Sequence, residues 1–354
     1  MVEINSLRDI EKLKKALQAW SGFDEIQAEY VSVGLINQTW AIDRKSEKFI
    51  AQRVNPAFST DIQKNIQSVS QCLREQGMVA PRLLETKKGD LFCELEDGSR
   101  WRLMERLEGV VFQRCQSSEQ ARSTAQLTAR FHDALVNFDG KLFPIGFPFH
   151  DMPRHLADLE KNLVVFSGHP FYHQVAELAE KIRIEVDRLG FRRDLPHRII
   201  HGDLKFNNFL FNQNSSEISQ SAHALIDLDT LAEMPIYFDL GDAWRSWCNL
   251  ASDGAAEAIL DLERFRSSAE GYLSTIRFEI TREELLSLTD ALERLSLELC
   301  ARFAADVLAE AHWSWDPKRF GSCAEHNWVR TQGQWSLYNQ ACETHSERSR
   351  FILG

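Results

Sequence analysis

The chain has 354 residues, enough for two domains or lobes, and its 44% apolar and 26% charged residues are typical of a globular protein. Its formal net charge of −11 argues against a nucleic-acid-binding protein, which usually carries a basic patch. Because no apolar run reaches membrane-spanning length and the first residues lack a secretory signal, we expect a cytoplasmic protein that contacts neither membrane nor nucleic acid. The seven cysteines have no pairing or metal-binding pattern, which predicts reduced thiols.

The first hundred residues combine helical and strand patterns. Apolar residues at helical spacing predict a first helix near residues 6–17. Strands are predicted over residues 29–54 and 91–107, with a turn at Asp97-Gly98. Between them lies a predicted helix that Asp61 caps and Gly77 ends.

The remainder of the chain is mainly helical. Helices are predicted over residues 118–137 and within 255–307. His132 and His150 are expected to be core or loop residues rather than catalytic ones. Four tryptophans near the C-terminus either pack in the core or form a wall for the apolar face of a sugar: Trp313, Trp315, Trp328 and Trp335.

A polar loop with the sequence HGDLKFNN spans residues 201–208. Short apolar segments before and after it predict strands, and the polar residues 212–221 predict a turn. The second strand of this hairpin leads directly to Asp227. Pairing of the two strands is therefore expected to place Asn208 beside Asp227.

These residues have the chemistry of phosphoryl transfer, which needs metal ligands, a group to orient the attacking hydroxyl, and positive charge at the phosphates. Asp203 is the predicted base and Lys205 the predicted phosphate contact, while Asn208 and Asp227 offer the hard oxygen ligands that Mg²⁺ prefers. Asp229 either binds a second metal ion or shapes its loop. Each element alone could be an ordinary turn, but the ordered combination favours a kinase.

The segments HGDLKFNNFLF and LIDLDT resemble the aminoglycoside phosphotransferase and choline kinase superfamily, also called the phosphotransferase enzyme family. GLINQTW, FIAQRVN and YFDLGDAWR are closest in motifs to the N-acetylhexosamine 1-kinases, and the resemblance runs from about Val33 to Gln340. It implies an α+β, bilobal protein-kinase-like fold. Residues 1–107 would form a small N-terminal antiparallel-sheet lobe that binds the nucleotide, and residues 108–354 a larger, mainly helical C-terminal lobe for catalysis and substrate binding.

The resemblance also implies ATP as cofactor and six nucleotide-binding positions in the N-terminal lobe: Gly34, Asn37, Thr39, Arg53, Glu105 and Leu107. Arg53 would reach the phosphates from the third strand, or else be an exposed arginine at a strand end. Kinases usually pair this basic residue with a Glu on the following helix. The predicted helix that follows Asp61 has no Glu before Glu75, so the partner of Arg53 stays open.

Further positions concern the acceptor. Arg302 and Asp306, four residues apart on one helix face, either bind the substrate or form a surface ion pair. Asp239 and Asp242 are expected to support the catalytic loop through hydrogen bonds rather than to contact substrate.

The sequence thus predicts an ATP- and Mg²⁺-dependent kinase for a sugar hydroxyl, with the anomeric hydroxyl of an N-acetylhexosamine as the preferred acceptor. The main alternative is a kinase of the same fold for choline, ethanolamine or an aminoglycoside. A non-catalytic nucleotide-binding scaffold is disfavoured by the complete set of Asp203, Lys205, Asn208 and Asp227.

Overall fold

The computed structural model describes residues 7–31, 36–192, 194–212, 220–252, 254–311 and 315–354. The chain forms two compact units, one of residues 1–108 with 138–147 and one of residues 109–137 with 148–354. Membership of 138–147 in the first unit was not foreseen from the sequence. It follows from the Asn65 side chain, which makes two hydrogen bonds of 2.8 Å with the backbone of Phe143.

The first unit is built on an antiparallel sheet with strand order β1-β2-β3-β5-β4. Its strands are β1 (Gln27–Val31), β2 (Gln38–Arg44), β3 (Glu47–Val54), β4 (Cys93–Glu94) and β5 (Arg100–Glu105). Helix α1 (Leu7–Leu17) contributes Leu13, Ala16 and Leu17 to a core that includes Phe49 and Ala51 of β3. The sheet and first helix agree with the sequence pattern, although β4 is shorter than the strand expected from residue 91.

Helix α2 (Ile62–Glu75) follows β3 and turns its apolar residues inward. Asp61 occupies the position before its first turn, as predicted, but its side chain makes no capping hydrogen bond. The carboxylate instead pairs with Lys64 at 2.7 Å. The prediction that the Asp61 side chain caps this helix was therefore wrong, because Lys64, one turn away, competes for the same carboxylate.

The second unit is mainly helical. Its helices are α3 (Ser118–Leu135), α4 (Met152–Val165), α5 (Tyr172–Leu189), α6 (Tyr237–Trp247), α7 (Leu262–Leu273), α8 (Arg282–Leu288), α9 (Ala291–Ala309) and α10 (Cys323–Leu353). Helix α9 packs against α4, α5, α6 and α10 and is buried on most of its surface, as its largely apolar sequence requires.

Two small sheets in this unit frame the polar loop. One is β6-β8-β9, formed by β6 (Val110–Val111), β8 (Phe209–Phe211) and β9 (Ala222–Leu225). The other pairs β7 (Arg198–Ile200) with β10 (Ala232–Met234). The HGDLKFNN segment lies between β7 and β8, so a short strand anchors each of its ends.

All seven cysteines are free thiols. Among the described residues, no helix combines the length and the apolar character needed to cross a membrane.

Candidate active site

The start of the polar loop is held by one buried carboxylate. Asp239, in the first turn of α6, accepts hydrogen bonds from the backbone N–H groups of His201 (2.8 Å) and Gly202 (2.7 Å). Its own position is set by His132, whose Nε2 lies 3.0 Å from the carboxylate and whose Nδ1 contacts the Tyr272 hydroxyl at 2.7 Å. The predicted supporting role of Asp239 is confirmed.

Electrostatics keep Asp239 ionised in this buried position. Burial alone would raise its pKa, but hydrogen bonding to His132, the charge of His132 and the hydrogen bond from the His201 backbone hold the pKa below its usual value. An ionised acceptor makes stronger hydrogen bonds to the loop backbone than a neutral one would.

Gly202 has a backbone conformation that only glycine adopts easily at this position. Its φ is +83°, and an added Cβ would lie 2.5 Å from the carbonyl oxygen of Thr230. The Thr230 hydroxyl meanwhile donates to the carbonyl oxygen of His201 at 2.8 Å. The loop and the 228–230 turn are therefore in direct backbone contact.

The hairpin brings the two proposed metal ligands to neighbouring positions. Phe209 pairs with Leu225, and the N–H of Ile226 donates to the Asn208 carbonyl oxygen at 3.0 Å. Asp227 follows immediately. The side-chain Nδ2 of Asn208 donates to the Asp203 carbonyl oxygen at 2.8 Å, which turns the amide oxygen of Asn208 away from that carbonyl.

Asp227 has a left-handed backbone conformation, with φ 65° and ψ 57°. Among non-glycine residues, Asp and Asn tolerate this conformation best, and such outliers are concentrated at functional sites. Within the described part of the chain, no cluster of three or more His, Cys, Asp or Glu forms a preorganised metal site. One carboxylate and one amide oxygen suit Mg²⁺, which usually keeps several water or phosphate ligands.

Lys205 lies among carboxylates. Its Nζ is 2.5 Å from Oδ2 of Asp203, and the two side chains are 32% and 21% exposed. Burial would lower the pKa of Lys205, but the charges of Asp203, Asp227 and Asp242 raise it above its usual value. The loop thus presents a permanently charged ammonium beside the predicted base and metal ligand.

The predicted base is itself held in its ionised form. Burial raises the pKa of Asp203, but the charge and hydrogen bond of Lys205, together with the charge of Arg245, bring it below its usual value. The pKa of the neighbouring Asp242 is shifted in the opposite direction. Burial and the Asp203 charge raise its pKa against the opposing charge of Arg245, which contacts Asp242 at 2.6 Å.

The described nucleotide-binding candidates of the first unit have structural partners, and Gly34 lies outside the described residues. Oδ1 of Asn37 accepts from the Asn55 N–H at 2.9 Å, and Oγ1 of Thr39 accepts from Gln52 at 3.1 Å. The Glu105 carboxylate lies 3.7 Å from Arg74 and 3.6 Å from Arg82. Leu107 is half-buried just beyond β5.

A buried arginine that the sequence analysis missed links the sheet to α2. Arg102 is 2% exposed and donates to Oε1 of Gln52 through Nε (2.9 Å) and a terminal nitrogen (2.6 Å). Its other terminal nitrogen donates to Oε1 of Gln63 on α2 at 3.2 Å. The sequence signal was an arginine between Trp101 and Leu103 in a strand, which alternation places on the opposite sheet face from those two core residues.

Arg53 lies on the other face of the sheet from this cluster. By strand alternation it shares a face with Phe49 and Ala51; it also pairs across strands with Trp101 and donates a hydrogen bond to Gln38 at 3.3 Å. Gln38 is thus an observed partner of Arg53. The contact of Arg53 with phosphate stays a prediction.

Comparing the two arginines separates stability from nucleotide binding. Arg102→Met is expected to lower the free energy of unfolding by about 2–4 kcal/mol, because the buried amide oxygen of Gln63 and the half-buried one of Gln52 lose their donors. Arg53→Met is expected to change stability by less than about 1 kcal/mol but to raise KM for ATP roughly tenfold, as loss of one charge-assisted contact predicts. Urea unfolding and steady-state kinetics measure these effects. An unchanged KM for ATP in Arg53→Met would remove Arg53 from the nucleotide site.

Arg302 and Asp306, the two residues predicted to bind the substrate, both lie on α9 and are partly exposed. Burial lowers the pKa of His155 on α4, with the charge of Arg302 contributing, and burial raises the pKa of Cys323 at the start of α10, with the charge of Asp306 contributing. Trp328 and Trp335 pack against the core around α9, as the core-packing alternative predicts, while Trp313 lies outside the described residues.

A strand-flanked loop with an aspartate, a lysine and an asparagine, followed by an aspartate just beyond the paired strand, is typical of the catalytic segment of kinase-like phosphotransferases. Residues 27–273 match the family model described as "Phosphotransferase enzyme family". This match covers more than half of the chain, and the chain therefore belongs to that family.

Solved structures with the same fold are kinases of small molecules. A microcompartment-associated aminopropanol kinase superposes with a TM-score of 0.62 at 15% identity, covering 96% of this chain and 99% of that one. A spectinomycin phosphotransferase bound to ADP and spectinomycin gives 0.59 at 14% identity, covering 96% and 99%. An ethanolamine kinase from Plasmodium vivax gives 0.58 at 12% identity, covering 97% and 91%. At these identities the likeness establishes the α+β fold with an antiparallel-sheet unit and a helical unit.

Proposed function

We propose that this protein is an ATP- and Mg²⁺-dependent kinase that phosphorylates a hydroxyl group of a sugar. The proposal depends mainly on one observation, the arrangement of four polar residues around one loop and one hairpin: Asp203, Lys205, Asn208 and Asp227. Family membership supports phosphoryl transfer, and the solved relative with bound ADP supports an adenine nucleotide.

Asp203 orients the acceptor hydroxyl and takes its proton as the hydroxyl oxygen bonds to the γ-phosphorus of ATP and the bond from that phosphorus to the departing ADP breaks. Since its pKa is held low, Asp203 is a weak base and accepts the proton late, which suits a reaction that depends mainly on positioning and charge. Lys205 offsets negative charge on the transferring group. Asn208 and Asp227 would hold Mg²⁺, which neutralises the phosphates when it is bound.

The nucleotide would be held by residues of the first unit. We assign phosphate contacts to Arg53, Asn37, Thr39 and the segment at Gly34. The backbone at Glu105 and Leu107 would bind adenine, so their side-chain identity matters less than the course of the chain there.

The preferred acceptor is an N-acetylhexosamine with its anomeric hydroxyl as nucleophile. The proposal rests on the sequence motifs shared with the N-acetylhexosamine 1-kinases and on Arg302 and Asp306, whose partly exposed side chains suit hydroxyl and N-acetyl oxygens. A guanidinium and a carboxylate on one helix supply both donors and acceptors for such a substrate.

An amino-alcohol acceptor is the second candidate. The solved structures with this fold include kinases named for aminopropanol, ethanolamine and choline.

Incubation with ATP, Mg²⁺ and a panel of N-acetylhexosamines, neutral hexoses and amino alcohols separates these candidates. We expect turnover of an N-acetylhexosamine with kcat/KM at least about 100-fold above that of the amino alcohols, because specific hydrogen bonds to an acceptor discriminate by this factor or more. Phosphorus NMR of the product identifies the modified oxygen.

Two results would contradict the assignment at different levels. Turnover of amino alcohols alone would replace the sugar acceptor while leaving the kinase intact. ATP binding without transfer to any member of a broad alcohol panel would instead favour a nucleotide-binding scaffold.

A further inference from the structure

His150 is a buried histidine directly before α4, and its side chain is 4% exposed. Its backbone is left-handed, with φ 52°, a conformation that few non-glycine residues adopt. The ring stacks on Phe238 of α6 with centroids 5.1 Å apart and an interplanar angle of 26°. The chain thus adopts an unfavourable backbone conformation where it places this imidazole in the interior.

Both ring nitrogens of His150 face hydrogen-bond acceptors. Nδ1 lies 2.9 Å from Oε1 of Glu298 on α9, and Nε2 lies 2.9 Å from the carbonyl oxygen of Gly202. A carbonyl and an ionised carboxylate have no proton to donate, whereas a neutral imidazole has a single N–H. With Glu298 ionised, the two contacts together require an imidazolium, because each ring nitrogen must then donate a hydrogen bond.

The charges around the ring favour that state. Burial would lower the pKa of His150, but the hydrogen bond and charge of Glu298, the charge of Asp242 on α6 and the Gly202 carbonyl raise it above its usual value. His155 on α4 also faces this cluster, and its own pKa is lowered by burial, with the charge of His150 contributing.

The contact with Gly202 bears on the catalytic base. The Gly202 carbonyl and the Asp203 N–H belong to one planar peptide group. His150 binds the oxygen of this group, and Nδ1 of His201 accepts from its N–H at 3.3 Å. Anchoring both sides of the plane fixes the direction in which the Asp203 side chain leaves the backbone.

We infer that His150, as an imidazolium paired with Glu298, is a positioning residue that orients the Gly202–Asp203 peptide for catalysis. Loss of its proton removes one donor from the ring and weakens either the Gly202 or the Glu298 contact. The effect on turnover rests on the kinase activity proposed above, whereas the protonation state does not depend on it.

Nitrogen-15 NMR of the full-length protein tests the protonation state. The His150 ring signals are identified by their absence in His150→Gln, and at pH 7 both ring nitrogens are expected to be protonated. A neutral ring at that pH would overturn the inference, whether or not the protein turns over any substrate.

Kinetics test the positioning role. His150→Gln is expected to lower kcat on the order of 10- to 100-fold with little change in KM for ATP, as a displaced catalytic group predicts. Glu298→Gln is expected to move the alkaline loss of kcat to lower pH by about one unit, because a neutral amide no longer stabilises the imidazolium. Lys205 keeps its charge in this range, since its pKa is raised.

His345 supplies a matched control. Its Nδ1 pairs with Glu293 at 2.8 Å and its pKa is likewise raised by that carboxylate, but it lies on α10 and touches the far end of α9. His345→Gln should leave kcat and its pH profile unchanged. If His150→Gln lowers only thermal stability, with kcat and the pH profile as in the unmodified enzyme, His150 is a structural residue and the inference fails.

Discussion

Asp203→Asn is expected to lower kcat by about 10³-fold, equivalent to ~4 kcal/mol of transition-state stabilisation. The amide keeps the shape of the side chain and an oxygen for the Lys205 contact, which is 2.5 Å long in the structure. It cannot accept the hydroxyl proton. Nucleotide affinity should therefore change little, because Asp203 contacts the acceptor rather than the triphosphate in the proposed mechanism.

Single-turnover kinetics with the accepted sugar, together with calorimetry of nucleotide binding, measure the two effects. Asp187→Asn on the exposed face of α5 is the matched control and should behave as the unmodified enzyme. Retention of kcat within about tenfold would discard Asp203 as the base, since general base catalysis usually contributes at least 10²-fold.

The low pKa of Asp203 adds a pH signature. Because the folded-state pKa lies below the unfolded one, its ionised form stabilises the protein above the unfolded pKa of about 4 and this stabilisation is lost only as the pH falls through the folded value. Asp203 should thus remain a carboxylate throughout the acid limb of ordinary assays.

Asp227→Asn is expected to weaken Mg²⁺-dependent nucleotide binding on the order of 10²-fold, since the change replaces a charged carboxylate ligand of the metal ion with a neutral amide. Asparagine tolerates the left-handed backbone of this residue, φ 65°, nearly as well as aspartate. The change therefore removes charge without adding backbone strain. Asp227→Ala would combine both effects.

Calorimetry with a non-hydrolysable ATP analogue, with Mg²⁺ and with chelator, checks this expectation. The affinity measured in chelator should be the same for Asp227→Asn and the unmodified protein. An equal loss in both conditions would mean that Asp227 acts on the fold or the nucleotide rather than on the metal ion.

The catalytic segment was predictable because its parts are close in sequence. Residues 209–211 pair with residues 222–225, and the two apolar runs are separated in the sequence by only a short polar segment. Pairing of such neighbours needs little loop-closure entropy. The first three strands of the sheet in the first unit were predictable for the same reason, because β1, β2 and β3 follow one another directly in the chain.

Contacts over long separations were less accessible. Asp239 follows His201 by 38 residues, and its supporting role was foreseen only in outline. The Arg102–Gln52 contact, 50 residues apart, and the His150–Glu298 pair, 148 residues apart, were missed. His150 was expected to be an ordinary core or loop residue, because no local pattern identifies the acceptors that face its ring.

By itself, the sequence determined the order and type of the polar groups between residues 201 and 227, and these groups predict phosphoryl transfer. Only the tertiary structure decided how those groups are held. The reason is that burial and hydrogen bonding between distant segments set both the direction of each side chain and its charge state. A linear pattern carries the identity of a carboxylate, but its pKa depends on neighbours that folding brings to it.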